Sequence, residues 1–111
     1  MNFLFICSKN KWRSRTAETI FKNVGHHKIQ SAGTDSDARI KLNEKHLAWS
    51  NLIFVMEKKH KEIIRSGFPF EYDSAKIIVL DIRDEYQYMD EELILILKNA
   101  MAPYLGDAHA S

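Results

Sequence analysis

Short apolar runs alternate along the chain with segments whose apolar residues recur at helical spacing. The runs at residues 3–6, 52–56 and 77–80 have the length and composition of strands buried on both faces. A shorter strand is predicted at 29–32, ended by Gly33. Strands that alternate with helices form right-handed βαβ units around a parallel sheet. We therefore predict an α/β fold with a four-stranded parallel sheet.

The segments between the strands have the spacing and the end signals of helices. Helices are predicted at 14–24, at 42–49, at 57–65 and after Asp90, a residue suited to cap the last one. The charged run at 57–62 is predicted to be a solvated helix face. Loops are predicted at 68–74 and at 81–89.

Composition and charge narrow the class of protein. The chain has 111 residues, of which 45% are hydrophobic; we predict one domain at 1–105 and a flexible tail at 106–111. Its 16 basic and 15 acidic residues nearly cancel, so we expect no general attraction to nucleic acid or to a membrane. One cysteine cannot form an internal disulfide, which together with the absence of a signal-peptide pattern predicts a cytoplasmic protein. The five histidines lack metal-site spacing and are predicted to be surface or structural residues.

The loop after the first strand combines a nucleophile with the features of an anion site. It runs from Cys7 to Arg13, and a helix begins near Ser14. Ligands of parallel sheets bind beyond the carboxyl ends of strands, where a helix N-terminus and a curved backbone present N–H groups to an anion. Arg13 suits two phosphate oxygens at once, and the positive surroundings favour the thiolate of Cys7. A thiolate facing a bound phosphate is a nucleophile for phosphoryl transfer.

The other loop residues support this interpretation, some of them with alternatives. Asn10 is suited to hold the loop's shape through side-chain hydrogen bonds. Ser14 is an ordinary helix N-cap, a donor to the Cys7 thiolate, or both. Trp12 is either a pocket rim or a buried anchor. The predicted phosphate-binding residues are Ser8, Lys9, Asn10, Lys11, Trp12, Arg13 and Ser14. The basic residues of this region favour substrates that carry extra negative charge.

Four motifs in one order resemble a known family. Cys-x5-Arg-Ser follows the first strand, with Asn10 three residues after the cysteine. It is followed by Ser31-Ala-Gly-Thr34, by Phe54-Val-Met-Glu57 and by Asp81-Ile-Arg-Asp-Glu-Tyr86. Together these resemble the low-molecular-weight protein tyrosine phosphatases, and most of all a branch of small bacterial predicted tyrosine phosphatases. The matches extend from residue 3 to about residue 100.

The resemblance implies a fold, a reaction and roles for particular residues. The fold is a single three-layer domain with sheet order 2-1-3-4, flanked by helices. The reaction is hydrolysis of a phosphomonoester through a phosphocysteine, without a metal or other cofactor. The substrate is a phosphotyrosine protein, another phosphorylated side chain or a small metabolite. Cys7 attacks phosphorus, Arg13 clamps the oxygens, and an aspartate protonates the leaving group before inorganic phosphate is released.

Two aspartates are candidates for the general acid, and two tyrosines have two possible positions. Asp84 matches the family's Asp-Pro-Tyr through the triplet Asp-Glu-Tyr and is our choice for the acid, whereas Asp81 has the strand-end position. Tyr86 and Tyr88 either line the pocket mouth and stack on an aromatic substrate or cover the edge of the core.

Several positions depart from the family's pattern. Lys9 replaces a glycine, Trp12 a frequent second cysteine, and Arg15 and Glu85 replace prolines. These departures keep a second class of function open, namely a catalytically weak phosphate-binding or interaction module. Arsenate reduction is a third alternative, and it would need an external thiol because the chain has no further cysteine.

Overall fold

The computed structural model describes residues 1–106, which form four strands and five helices. In chain order these are β1 (Asn2–Cys7), α1 (Arg13–Phe21), β2 (Lys28–Gly33), α2 (Glu44–Trp49), β3 (Leu52–Val55), α3 (Lys58–Gly67), α4 (Pro69–Ser74), β4 (Ile77–Val79) and α5 (Glu91–Leu105). None of the helices in this range is long and apolar enough to cross a membrane.

The strands form one parallel sheet in the order β2-β1-β3-β4, which confirms the predicted fold. Alternate residues of β1 pack on opposite faces of this sheet. Phe3 and Phe5 belong to a core cluster with residues of α1 and α5, whereas Leu4 and Ile6 belong to a cluster with residues of α2 and α3. Cys7 continues the first series. The strand's own register therefore directs the thiol toward the side of the sheet where α1 begins.

Most elements lie within a few residues of their predicted bounds, and the main differences concern α4 and the end of α1. Residues 68–74, predicted to be a loop, include helix α4, in which Pro69 occupies the first turn, where a missing N–H costs nothing. Helix α1 ends at Phe21, because residues 22–26 turn and Gly25 adopts a positive φ. Gly106 follows α5 with a positive φ, and the rest of the predicted tail lies outside the described residues.

Gly33, at the end of β2, is required by the backbone that packs against it. A Cβ at this position would lie 2.5 Å from the carbonyl oxygen of Ser8, 2.6 Å from Cβ of Ala38 and 3.0 Å from the backbone nitrogen of Asn10. Real Cβ atoms do not come this close to backbone, so the loop after β1 can lie where it does only over a glycine.

We expect Gly33→Ala to destabilise the protein by about 1–3 kcal/mol, because overpacking forces a backbone shift. Gly67→Ala is the matched control. A Cβ at Gly67, the last residue of α3, meets nothing within 4 Å, so this variant should be neutral or up to about 1 kcal/mol more stable. Urea unfolding of both variants measures the difference, and equal stabilities would contradict the close contact at Gly33.

Candidate active site

The loop between β1 and α1 lies at the carboxyl edge of the sheet, with its carbonyl groups bound on one side. The carbonyl oxygens of Cys7 and Ser8 accept from the N–H groups of Thr34 and Asp35, each at 2.9 Å. Those of Lys9 and Asn10 accept from the backbone N–H and from Nε of Arg39, at 2.9 and 3.0 Å. Four successive carbonyls are therefore held by segment 34–39, whereas the backbone N–H groups of residues 8–12 form no hydrogen bond with any group of residues 1–106.

Asn10 organises the loop from inside. It is fully buried and adopts a left-handed backbone conformation, with φ at 58°, which asparagine tolerates better than most residues. Its Nδ2 donates to Oγ of Ser14 at 2.7 Å and to Oγ of Ser31 at 2.9 Å. Ser31 donates in turn to the carboxylate of Glu18. These bonds join the loop to α1 and β2.

Ser14 lies within the first turn of α1 and is not the N-cap; its hydroxyl is 2.9 Å from Sγ of Cys7. The Ser14 oxygen already accepts from Asn10, so its own hydrogen is free to point at the sulfur. A hydroxyl that donates to sulfur stabilises the thiolate form of a cysteine. Ser14 therefore has the geometry of a donor to Cys7, one of the two roles predicted for it from the sequence.

Arg13 is only 2% exposed, and its charge is compensated by two acceptors. Nη1 donates to Oε2 of Glu57 at 2.5 Å and to the carbonyl oxygen of Ile82 at 2.8 Å. Burial raises the pKa of Glu57, but the hydrogen bond and charge of Arg13 outweigh this and lower its pKa below the ordinary value. With Nη1 occupied, Nε and Nη2 remain for a ligand, and Nε lies 3.7 Å from Oδ1 of Asp84.

His60 connects the loop to α3. The imidazole is fully buried; Nδ1 accepts from the backbone N–H of Glu57 at 3.0 Å, and Nε2 is 2.9 Å from Oγ of Ser8. A neutral ring that accepts at Nδ1 carries its proton on Nε2, so Nε2 donates to Ser8. Burial, together with the charge of Arg13, lowers the pKa of His60 to about 4 and keeps the ring neutral.

A cavity of about 250 Å³ opens above the thiol. It is lined by the predicted residues Cys7, Lys9, Lys11, Trp12, Arg13 and Asp84. Of the two interpretations of Trp12, the structure shows the rim, because this side chain is 42% exposed. Asp84 lines the cavity, whereas Asp81 is exposed, has a positive φ of 59° and is not part of the lining.

Neither tyrosine lies in the cavity lining. Tyr86 packs against the core cluster of α1 and α5, and the carboxylate of Glu92 raises its pKa. The hydroxyl of Tyr88 is 2.8 Å from Oγ1 of Thr19, and the guanidinium of Arg15 lies 4.4 Å from the centre of its ring. Tyr86 therefore covers the edge of the core, whereas Tyr88 is 38% exposed and contacts α1 outside both the cavity and the core clusters.

Sequence reasoning missed several residues that shape the site. Residues 57–62 were predicted to be a solvated face, which is wrong for Glu57 and His60. The available signals were the position of Glu57 just beyond a buried strand and its spacing of three from His60, which forms a capping box at the start of α3. No local signal marks Arg39, because its bonds to the loop come from a segment 29 residues away from Asn10.

Lys9 shows why the glycine of the family's pattern is dispensable here. In residues 8–12 the left-handed conformation occurs at Asn10 and not at Lys9, so position 9 accepts a side chain. The ammonium of Lys9 contacts Asp37 at 2.8 Å and Asp35 at 3.3 Å. Its hydrogen bonds to Asp37 and then to Asp35 raise the pKa of Lys9, and the pKa of Asp37 is lowered by the same pairing. Within residues 1–106, no group of three or more His, Cys, Asp or Glu side chains is placed to hold a metal ion.

Comparison with known proteins finds the same fold in several phosphatases. The tyrosine phosphatase Wzb from Escherichia coli K30, in complex with phosphate, has a TM-score of 0.76 at 22% identity, over 94% of this chain and 95% of that one. SP-PTP, a low molecular weight protein tyrosine phosphatase from Streptococcus pyogenes, has a TM-score of 0.78 at 16% identity, over 94% and 90% of the two chains.

A mutant of the YwlE arginine phosphatase with a phosphorylated active site serine has a TM-score of 0.73 at 21% identity, over 96% of this chain and 97% of that one. This chain has the fold of these phosphatases. At such identities the likeness concerns the fold, and this is the fold that the resemblance of the motifs implied. No family model and no curated protein matches the sequence.

The neutral, buried His60 predicts a pH-dependent stability. The imidazole of His60 binds a proton near pH 6.5 in the unfolded chain, but its pKa in the folded chain is about 4. The contribution of neutral His60 to the free energy of unfolding is therefore complete above pH 6.5 and is lost as the pH falls toward 4. The loss amounts to about 3 kcal/mol. His60→Gln keeps the capping bond but cannot be protonated, and its free energy of unfolding should fall less between pH 7 and 4 than that of the wild type.

His26→Gln, which removes an exposed histidine, is the control and should follow the wild-type curve. Urea unfolding at several pH values measures all three proteins. Parallel curves for the wild type and His60→Gln would show that His60 is not held in its neutral form.

Proposed function

We propose that the protein is a cysteine-dependent hydrolase of phosphate monoesters, acting through a phosphocysteine. One observation supports this most directly: Cys7 and Arg13 line the same cavity, on a loop whose carbonyl groups at residues 7–10 are bound to segment 34–39. The N-terminus of α1 adds its free N–H groups and the positive end of its dipole. A dianionic phosphoryl group fits this arrangement in charge and in hydrogen-bonding capacity.

The proposed first step transfers the phosphoryl group to sulfur. The Cys7 thiolate attacks phosphorus, an S–P bond forms, and the P–O bond to the leaving group breaks. Nε and Nη2 of Arg13 bind the equatorial oxygens, since Nη1 is held by Glu57 and Ile82. The hydroxyl of Ser14 stabilises the thiolate before attack and after release.

Asp84 is the proposed general acid. It lies in the cavity lining beside Arg13, whereas Asp81 lies outside it, which favours Asp84 of the two candidates. Its carboxylic acid gives a proton to the leaving oxygen. In the second step its carboxylate accepts a proton from water, which attacks phosphorus, breaks the S–P bond and releases inorganic phosphate.

The proposed substrates are phosphotyrosine in proteins and small aryl phosphates, in a cytoplasmic setting. Tyrosine and arginine phosphatases occur among the proteins of similar fold, and the cavity rim holds an exposed tryptophan that can pack on an aromatic leaving group. The alternative of a weak phosphate-binding module predicts binding of phosphate without turnover, so the following experiment distinguishes the two.

We expect Cys7→Ser to lower kcat for an aryl phosphate by roughly three orders of magnitude or more, while phosphate still binds. Arg13→Lys keeps the charge but loses the planar fork, and kcat/KM should fall steeply. Arg15→Lys is its matched control, because Arg15 stacks on Tyr88 outside the cavity, and this variant should stay within about twofold of the wild type.

Turnover is measured with phenyl phosphate, phosphate binding by calorimetry, and folding by circular dichroism. Activity that survives Cys7→Ser in a folded protein would contradict the covalent mechanism. Phosphate binding by a wild type that does not hydrolyse any ester would favour the binding module.

The general acid matters most for a poor leaving group. We expect Asp84→Asn to slow phenyl phosphate by about 10²-fold or more but 4-nitrophenyl phosphate much less, because nitrophenolate leaves without a proton. Asp81→Asn is the matched control and should affect both esters alike. If only Asp81→Asn shows the dependence on the leaving group, Asp81 is the acid instead.

A further inference from the structure

The four basic residues of the loop region, Lys9, Lys11, Arg13 and Arg15, differ sharply in their surroundings. Arg13 is buried and bound to Glu57, and Arg15 lies over the ring of Tyr88. Lys9 lines the cavity but is paired with Asp35 and Asp37. The positive charge of these four residues is therefore largely compensated by the protein itself.

Lys11 is the exception. It is exposed, lines the cavity beside Trp12, and forms no ion pair within 4.0 Å with any carboxylate of residues 1–106. The carboxylate of Asp37 is bound to Lys9, and the charge of Lys11 has only a minor effect on it. An ammonium at the mouth of an anion site, without a carboxylate of its own, is available to a substrate.

The size of the cavity bears on which part of a substrate would contact this lysine. A volume of about 250 Å³ is below the usual range of small-molecule sites, roughly 300–1,000 Å³. A phosphoryl group bound over Cys7 would occupy part of this volume, and a leaving group that extends beyond it would reach the exposed rim formed by Lys11 and Trp12. The lining contains one carboxylate, that of Asp84, and it lies beside Arg13, with Oδ1 3.7 Å from Nε.

We propose that Lys11 selects phosphate esters whose leaving group carries a second negative charge, with Trp12 as the flat surface on which the leaving group packs. The inference rests on the proposed hydrolase function and specifies its substrate class. The charge could belong to an acidic residue next to phosphotyrosine or to a carboxylate on a small aryl phosphate. Both present an anion to the same ammonium.

The test compares kcat/KM within two matched substrate pairs at low ionic strength. One pair is 3-carboxyphenyl phosphate and phenyl phosphate, whose leaving groups have similar basicity; the other is a phosphotyrosine peptide with either Glu or Gln next to the phosphotyrosine. The wild type should prefer the charged member by about threefold, as expected of an exposed charge pair. The preference should shrink as salt is added.

Lys11→Gln should bring the ratio to about one, and Lys11→Glu should reverse it. Lys22→Gln, which removes the same charge beyond the end of α1, is the matched control and should keep the ratio. A preference in only one pair supports the inference and shows whether the second charge comes from a peptide or from a small molecule.

A wild-type ratio near one in both pairs, or an equal loss in Lys22→Gln, overturns the role of Lys11 while the hydrolase function stands. Absence of turnover on all four substrates overturns the proposed function itself, and this inference with it.

Discussion

The buried charge of Arg13 is the constraint on which the site depends. A guanidinium that is 2% exposed would be very costly without partners, so groups from other parts of the chain must reach it. Glu57, just beyond β3, supplies a carboxylate, and Ile82, beyond β4, supplies a carbonyl. The ends of three neighbouring strands are thereby fixed around one cation, and the cavity above Cys7 follows from that convergence.

A second layer of polar contacts gives this arrangement its shape. The carbonyls of residues 7–10 are held by segment 34–39, and Asn10 is held by Ser14 and Ser31. These bonds are buried and together favour one geometry of the loop, with Oδ1 of Asn10 the side-chain atom of this network that has no partner within residues 1–106. Gly33 makes the close approach possible, and His60 fixes Ser8 from the opposite side. The result is a loop whose geometry is set by contacts within the protein.

The departures from the family's pattern are accommodated by local structure. Lys9 needs no positive φ, and its ammonium is turned to two aspartates. Arg15 lies within α1 and stacks on Tyr88. Trp12 and Lys11 change the rim of the cavity, while the Cys7, Ser14 and Arg13 contacts are unaffected.

The sequence by itself determined the parallel sheet, because buried strands are nearly continuous apolar runs and helices show periodic ones. It also marked the loop from Cys7 to Arg13, since a thiol, an arginine and a helix start lie within a few residues of each other. The choice of partners was decided only by the tertiary structure. Glu57 and His60 lie in a run of charged residues that looks solvated, and their burial depends on Arg13 and Ser8, which are 44 and 52 residues away. Likewise, nothing in the sequence distinguishes Lys9 from Lys11. In the folded chain Asp35 and Asp37 lie beside Lys9 and compensate its charge, whereas Lys11 stays available. Only the tertiary structure decides this, because charge pairing depends on distance in space and not on distance along the chain.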